Sequence, residues 1–225
     1  MVQIISVIIP VLNEALKIAK TLASVSEANV EVIVVDGGSR DDTKAVVQSW
    51  GVKVLSAPTG RGRQMNAGAR VASGKILLFL HADTLLPENF ATMVIQALNQ
   101  PNIVAGAFAL RIEGESPSLR WVEKGINWRS RIFSFPYGDQ AIFISAEVFN
   151  QLGGFPDLPI MEDFEMMRRL RRIGKISLLP ATVVTSGRRW LAKGVFQTTL
   201  INQVTIVAYL LGVSPERLAH WYRRI

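Results

Sequence analysis

The sequence has no cysteine among its 225 residues. A disulfide-stabilised fold, a thiolate metal site and a cysteine nucleophile are therefore excluded, and the composition fits a cytoplasmic protein. Residues 1–10 also lack the basic region and the small-residue cleavage site of a signal peptide, so we expect them to contain a first strand. The sequence contains no internal repeat and no low-complexity tract.

Charged residues are also few, at 19%, whereas hydrophobic residues make up 49% of the chain. A chain of this length and composition can bury a core, and it fits one α/β domain with or without a small appendage. Basic residues outnumber acidic ones, which gives a net charge of +7. This balance favours an anionic partner such as a nucleotide, a nucleic acid or a membrane surface. No nucleic-acid-binding module is recognisable, so we do not expect a nucleic-acid partner.

A long uninterrupted apolar run is missing too. Residues 195–213 approach the ~20 residues that cross a bilayer, but Gln197, Asn202 and Gln203 interrupt them. This pattern favours an amphipathic helix over a transmembrane one. Such a helix could pack on the domain, on a second subunit or on a membrane surface. The arginines of residues 217–224 are expected on a solvated helix face.

Short apolar segments alternate with helical segments over the first half of the chain. Strands are expected at 6–10, 30–35, 52–55, 75–80 and 103–112, separated by helices at 15–25, 43–50, 64–72 and 87–99. This alternation predicts a mainly parallel sheet with right-handed crossovers and flanking helices. Two further short strands, 176–179 and 181–184, are expected on either side of Pro180.

The apolar strand at 75–80 ends abruptly in His81-Ala82-Asp83. An unbroken apolar strand is typical of a parallel sheet buried on both faces. Ligands bind outside the carboxyl ends of such strands, and in an extended chain residues 81 and 83 point to the same side. Asp83 is therefore placed to hold a metal or a ribose. The alternative is that Asp83 and Thr84 only turn the chain toward the next helix.

Two other polar segments are candidates for a site. Residues 58–63 form a glycine- and arginine-rich loop ahead of a helix, which is suited to binding phosphate. Glu162 and Asp163 open a later helix that carries arginines toward its other end. Their position in the first turn is also explained by the helix dipole alone.

Several motifs, taken together and in order, resemble those of family 2 glycosyltransferases of the GT-A fold. The matching segments are 6–14, 34–41, 66–68, 73–75, 79–83 and the acidic pair 162–163. Residues 186–190 resemble the Gln-x-x-Arg-Trp motif of the processive members, with Ser186 in place of the glutamine. The resemblance extends to about residue 190, and the Leu-His-Ala-Asp-Thr segment is similar to that of a small bacterial subgroup.

This resemblance implies an α/β, GT-A type nucleotide-binding domain over residues 1–190, followed by a C-terminal helical extension over 191–225. It implies an inverting transfer of a sugar from a nucleoside-diphosphate sugar to an acceptor hydroxyl. We expect the enzyme in the cytoplasm, with the C-terminal helix free to contact the inner face of the membrane or to form a homodimer. The acceptor, the sugar and the base stay open at this stage.

The resemblance also assigns roles to individual residues. Its nucleotide-sugar site comprises Pro10, Val11, Glu14, Asp36, Arg63, His81, Ala82, Asp83 and Arg189. Pro10, Val11 and Glu14 line the base and ribose pocket, Asp36 hydrogen-bonds the base or ribose, and Arg63 or its neighbour Arg61 faces the nucleotide. Arg189 adds positive charge near the diphosphate.

The same resemblance assigns the catalytic groups. Asp83 binds a divalent metal, Mg²⁺ or Mn²⁺, which neutralises the charge of the leaving diphosphate. Asp163, with Glu162 beside it, is the general base for the acceptor hydroxyl. His81 stands where the family motif has its first aspartate, and it is a metal ligand, a hydrogen-bond donor to the diphosphate or a packed structural imidazole.

Other functions remain as alternatives. A nucleotidyltransferase would share the nucleotide-binding sheet, but it usually has a glycine-rich loop after the first strand. The sequence there is Pro-Val-Leu-Asn-Glu. The same observation disfavours a dinucleotide-dependent dehydrogenase. A catalytically weak or inactive nucleotide-sugar-binding protein is the non-enzymatic alternative, and the presence of both Asp83 and Asp163 speaks against it.

Overall fold

A computed structural model describes residues 4–27 and 29–224, so residues 1–3 of the predicted amino-terminal segment lie outside the described part. The strands are β1 (Ile5–Val11), β2 (Val30–Asp36), β3 (Lys53–Ser56), β4 (Ile76–Phe79), β5 (Thr84–Leu85), β6 (Ile103–Ile112), β7 (Ile142–Ser145) and β8 (Lys175–Thr185). The helices are α1 (Ile18–Ser24), α2 (Thr43–Ser49), α3 (Arg61–Val71), α4 (Phe90–Leu98), α5 (Pro117–Phe133), α6 (Ala146–Gln151), α7 (Glu162–Leu170), α8 (Arg188–Lys193), α9 (Val195–Leu210) and α10 (Pro215–Arg224), with a single 3-10 turn at Gly138–Gln140.

The eight strands form one sheet in the order β3-β2-β1-β4-β7-β6-β8-β5. Strands β3, β2, β1 and β4 run parallel to one another, as do β6 and β8. Strand β7 pairs antiparallel with both β4 and β6, and β5 pairs antiparallel with β8. The predicted α/β class with a mainly parallel central sheet is confirmed.

The sheet is buried on both faces. Side chains of β1 alternate between two core clusters: Ile5, Val7 and Ile9 belong to one, and Ile8 belongs to the other. Helices α1 and α4 cover the first face, and α3 and α7 cover the second. This arrangement explains why the strands are nearly continuous apolar runs, and it leaves the carboxyl ends of β1 and β4 free for function.

Several predicted boundaries are wrong, and two of the differences have a clear cause in the backbone. The helix expected from residue 87 begins at Phe90, because Asn89 adopts a left-handed conformation (φ 58°) that is incompatible with a preceding helical turn. The two strands expected around Pro180 are one strand, β8. Its register against β6 shifts between Phe108 and Ala109, and Pro180 lies in the resulting bulge, where its missing N–H costs no ladder hydrogen bond.

The apolar segment after residue 194 forms α9 and ends in a Schellman motif. Gly212 (φ 89°) donates to the carbonyl of Tyr209, and Val213 donates to that of Ala208. One side of the two terminal helices packs on the domain, in a cluster where Phe164 of α7 meets Leu218 of α10. Within residues 4–27 and 29–224, no helix has the length and apolarity needed to cross a membrane.

Candidate active site

The carboxyl ends of β1 and β4 open into a groove of about 330 Å³. The predicted nucleotide-binding residues Pro10, Val11, Glu14, Ala82 and Asp83 all line it. Parallel neighbouring strands end at the same edge of the sheet, and for this reason segments 70 residues apart in sequence meet there. We call this space the donor groove.

A second space, of about 410 Å³, adjoins the donor groove, and we call it the inner cavity. Its lining residues include Arg61, His81, Asp83, Tyr137, Asp139, Asp163, Arg188, Arg189, Trp190, Asn202, Thr205 and Tyr222. Arg61, His81 and Asp83 line both spaces. The donor groove and the inner cavity therefore meet at the end of β4 and form one candidate active site.

The His81–Asp83 segment is a turn, and the expectation of an extended chain is wrong. The Thr84 amide donates to the His81 carbonyl at 3.2 Å, which closes the turn. Thr21 donates through its hydroxyl to the Ala82 carbonyl (2.7 Å), and the Ser186 amide donates to the Asp83 carbonyl (3.0 Å). The backbone is thus fixed from both sides, and residues 81 and 83 reach the site because the turn is held there.

Asp83 and Glu14 share a cationic neighbour. Arg188 Nη2 is 2.9 Å from Glu14 Oε1 and 3.7 Å from Asp83 Oδ2. Burial raises the pKa of Asp83, and the negative charge of Glu14 raises it further, while Arg188 acts in the opposite direction. The guanidinium therefore bridges two carboxylates that would otherwise repel each other.

The same two carboxylates are suited to a divalent cation. Glu14 Oε2 is buried and has no hydrogen-bond partner among the described residues. Over the same residues no group of three or more histidine, cysteine or acidic side chains is arranged to hold a metal. Mg²⁺ commonly binds through one or two carboxylates together with substrate phosphates. Asp83 and Glu14 fit that role, provided that Arg188 moves from between them.

Asp163 lines the inner cavity at the start of α7. Its Oδ2 accepts a hydrogen bond from the Gly138 amide at 2.7 Å, and its Oδ1 accepts one from the Phe164 amide at 2.7 Å. A Cβ atom at residue 138 would lie 3.0 Å from Asp163 Oδ2 and 3.1 Å from His81 Nε2. Glycine at this position lets the backbone approach both side chains closely.

His81 is uncharged in this environment. Burial lowers its pKa to about 4, the charge of Arg61 lowers it too, and Asp163 acts in the opposite direction. A neutral imidazole next to Gly138 and Asp163 can donate or accept a hydrogen bond without adding charge to the site.

Glu162, next to Asp163 in the first turn of α7, forms an ion pair with Arg61. It is 2% exposed, and its Oε1 lies 2.8 Å from Arg61 Nε. Burial raises the pKa of Glu162, and the charge of Arg61 opposes that effect. Glu162 is therefore placed to hold Arg61 where its side chain lines both spaces.

Two predicted nucleotide-binding residues, Arg63 and Asp36, do not line the donor groove. Arg63 pairs on the surface with Asp157, through contacts of 2.6 and 2.9 Å, and Arg61 occupies the position facing the site. Helix α3 already begins at Arg61, so residues two apart point about 200° from each other around its axis. Arg63 is the expected residue only if residues 58–63 form a loop, and residues 61–63 are helical.

Asp36 is fully buried and organises its own loop. It accepts hydrogen bonds from the amides of Gly38 (3.0 Å) and Ser39 (3.1 Å), and Lys44 Nζ lies 3.1 Å away. Burial alone would raise the pKa of Asp36, but the contacts with Ser39, Lys44 and Gly38 outweigh it and leave the pKa lowered. Its oxygens are thus already used in holding the turn beside the donor groove.

Arg189 is held inside the cavity by the C-terminal helix α10. Its guanidinium carbon is 3.8 Å from the Tyr222 ring centroid, and Nη1 donates to the Tyr222 hydroxyl. That hydroxyl in turn donates to Asn202 Oδ1 of α9 at 2.9 Å. The C-terminal extension therefore contributes side chains to the site.

Asp139 was missed as a candidate, although it lines the inner cavity. Its Oδ1 is buried without a hydrogen-bond partner in the described part of the chain. Burial raises its pKa to about 6, Arg129 acts against the rise, and Asp163 adds to it. The signal was the polar Tyr-Gly-Asp-Gln segment ahead of β7, because polar residues next to a buried strand often mark a site.

Several known proteins are similar to this chain in sequence. The sequence model described as Glycosyl transferase family 2 matches residues 6–150. The probable glycosyltransferase YdaM of Bacillus subtilis is 27% identical over 210 residues, which cover 80% of this chain and 49% of YdaM. The chain spans about half of that relative and 34% of an uncharacterised glycosyltransferase of Rickettsia felis.

Two solved structures share the fold. S. aureus TarS in complex with UDP matches with a TM-score of 0.67 at 20% identity, covering 81% of this chain and 60% of TarS. Glucosyl-3-phosphoglycerate synthase from Mycobacterium tuberculosis, in complex with Mn²⁺, UDP and glucosyl-3-phosphoglycerate, matches with a TM-score of 0.61 at 22% identity, covering 80% and 70%. The expected GT-A type of fold is confirmed.

Proposed function

The chain belongs to glycosyl transferase family 2, and on that premise we propose that it transfers a sugar from a nucleoside-diphosphate sugar to an acceptor hydroxyl with inversion. The observation that carries the proposal is the meeting of the donor groove and the inner cavity at His81 and Asp83. Asp83 at the junction would serve the leaving group, and Asp163 in the inner cavity would serve the acceptor.

The donor groove takes the nucleotide. Pro10 and Val11 supply its apolar wall at the end of β1, and Glu14 its polar end. The solved TarS and synthase structures hold UDP, and one TarS structure holds UDP-GlcNAc. These complexes support a uridine diphosphate donor as the first to test.

The diphosphate lies at the junction, where charge is available to neutralise it. Arg61, Arg188 and Arg189 line the inner cavity, and two of them are positioned by partners, Glu162 and Tyr222. Asp83 and Glu14 would hold Mg²⁺ or Mn²⁺, which neutralises the developing charge of a leaving diphosphate when it is bound. Preorganised charges of this kind stabilise the transition state without reorganisation cost.

The acceptor hydroxyl enters from the inner cavity, where Asp163 accepts its proton. The Gly138 and Phe164 amides fix both carboxylate oxygens, so the remaining lone pairs point in a defined direction. Attack from that side occurs on the face of the sugar opposite the diphosphate and inverts the anomeric carbon. Glu162 acts by holding Arg61, and His81 by hydrogen bonding at the junction.

A donor panel with and without chelator tests the proposal. We expect transfer or slow hydrolysis of one nucleoside-diphosphate sugar, stimulated by Mn²⁺ or Mg²⁺ and lowered by roughly 10²- to 10⁴-fold in Asp163→Asn. Isothermal titration with each donor measures binding in parallel with the activity assay. A protein that only binds nucleotide-sugars would show binding without turnover. Failure to bind any nucleotide-sugar would contradict the proposal.

A further inference from the structure

Helix α9 exposes an apolar stripe directly opposite the face that it buries. Its buried residues are Thr198, Ile201 and Thr205, which lie close together around the helix axis. The large apolar side chains on the other side are Phe196, Leu200, Val204, Val207, Leu210 and, just after the helix, Leu211. Phe196 is 82% exposed and Leu211 is 80% exposed. An exposed apolar stripe of this extent commonly marks an interaction site.

Helix α5, which contacts α9, carries a second exposed stripe. Trp121 is 74% exposed and Trp128 is 61% exposed, and Ile132 follows them at helical spacing. Lys124 and Arg131 lie exposed along the same side of the helix, and Lys124 Nζ is 5.2 Å from the Trp121 ring centroid. We call the exposed stripes of α5 and α9 together the α5–α9 surface.

Basic side chains predominate on this surface. Residues 117–133 and 191–213 contain five basic residues and one acidic residue, Glu123. Glu123 is buried, and its Oε1 accepts from the Ile112 amide and lies 3.0 Å from Arg120. Two copies of the chain meeting through this surface would bring like charges together, which opposes self-association. An anionic partner is complementary to it.

We propose that the α5–α9 surface binds a membrane surface that contains anionic lipids. Tryptophan side chains favour the headgroup region, aliphatic and phenyl side chains enter just below it, and lysine and arginine pair with lipid phosphates. The α5–α9 surface exposes each of these residue types: tryptophan, aliphatic and phenyl side chains, lysine and arginine. On the opposite side of α9, Asn202 and Thr205 line the inner cavity, so a bound bilayer lies one helix diameter from the site.

Vesicle co-sedimentation of the full chain tests the proposal, using phosphatidylcholine alone and mixed with phosphatidylglycerol. Binding is expected mainly to the anionic vesicles and is expected to weaken with salt. Lys124→Gln with Arg131→Gln should weaken binding about tenfold or more. Phe196→Ser with Leu200→Ser and Val207→Ser should abolish it, and thermal melts confirm folding.

A matched control replaces exposed apolar residues elsewhere: Leu16→Ser, Trp50→Ser and Ile173→Ser. It is expected to bind like the unmodified chain. Equal binding to both kinds of vesicle, or no binding to either, overturns the proposal. So does a dimer in light scattering that the α9 variants dissociate, because the surface would then serve a second copy. None of these readouts depends on sugar transfer, so they stand apart from the proposed function.

Discussion

The donor groove and the inner cavity are built in different ways, although they share a wall. The donor groove is assembled mainly from strand ends and the start of α3, elements that the sheet order places side by side, and Pro159 and Arg223 of α10 complete its lining. The inner cavity takes side chains from a 3-10 turn, from α7 and from three C-terminal helices. A sheet edge follows from the alternation of strands and helices, whereas the cavity depends on packing between segments distant in sequence.

The carboxylates of the two spaces also have different hydrogen-bond and ion-pair partners. At the junction of the two spaces, Arg188 lies between Glu14 of the donor groove and Asp83. In the inner cavity, Asp139 keeps a buried oxygen without a partner in the described chain, and Asp163 accepts from two backbone amides. The first arrangement suits a cation and a diphosphate, and the second suits proton transfer.

The largest effect that separates the two spaces is expected for Asp163→Asn. Transfer should fall by roughly 10²- to 10⁴-fold, because the amide cannot accept the hydroxyl proton, while donor affinity changes little. Initial rates and isothermal titration measure the two quantities. Glu165→Gln, on the same helix but paired with Arg168 and Arg169, is the matched control and should keep both. Equal loss of binding and transfer would remove the distinction between the spaces.

A smaller effect is expected for Asp83→Asn. The affinity for Mn²⁺ in the presence of UDP should fall about tenfold or more, because a charged ligand is lost from the cation site. Titration followed by the paramagnetic signal of free Mn²⁺ measures this without any activity. Asp157→Asn, which removes a carboxylate outside both spaces, serves as control. Unchanged Mn²⁺ affinity in Asp83→Asn would place the metal elsewhere.

Arg188→Gln tests the same cation site, but here the affinity for Mn²⁺ is expected to rise. Without UDP, the variant should bind Mn²⁺ a few-fold more tightly, because the guanidinium no longer occupies the space between Glu14 and Asp83. Arg63→Gln, whose arginine pairs with Asp157, is the control for a lost positive charge. Weaker Mn²⁺ binding in Arg188→Gln would show that the arginine supports the site and does not compete with the cation.

Asp139 provides a stability test of the inner cavity. Its pKa rises from 3.8 to about 6 on folding, so between these values the folded state binds more protons and stability falls as the pH rises. Above pH 6 the buried charge costs free energy that Asp139→Asn removes. The variant should gain about 1 to 2 kcal/mol at pH 7.5, and the gain should vanish near pH 4.

Urea unfolding at the two pH values measures the gain. Asp157→Asn is again the control, because its pairing with Arg63 lowers the pKa of that carboxyl and the variant should be slightly less stable at pH 7.5. If Asp139→Asn destabilises the protein at neutral pH, neighbouring groups stabilise the charged Asp139 carboxylate. The carboxylates of the two spaces would then differ less than we propose.

The residues of the donor groove could be predicted from the sequence better than those of the inner cavity. The carboxyl ends of β1 and β4 could be located from apolar periodicity, and Pro10, Glu14 and Asp83 meet there as expected. Choosing between Arg61 and Arg63 required knowing where α3 begins. That boundary depends on Gly60 (φ 139°), whose conformation the sequence does not specify.

Asp139 and Tyr222 illustrate what sequence patterns leave out. Asp139 reaches the cavity because Gln140 is buried and fixes the turn, through bonds to Phe108 (2.9 Å) and Ser130 (2.8 Å). Tyr222 reaches it because α10 packs on α7 through the cluster around Phe164. Both placements result from tertiary contacts between separate segments, and no local periodicity encodes them.

The most direct test of the divided site is a crystal structure of Asp163→Asn with a nucleoside-diphosphate sugar and Mn²⁺. We predict the nucleotide in the donor groove, the metal between the diphosphate and Asp83, and the anomeric carbon facing residue 163 across the inner cavity. A diphosphate bound away from Asp83, or a sugar whose opposite face is closed off from residue 163, would contradict the account.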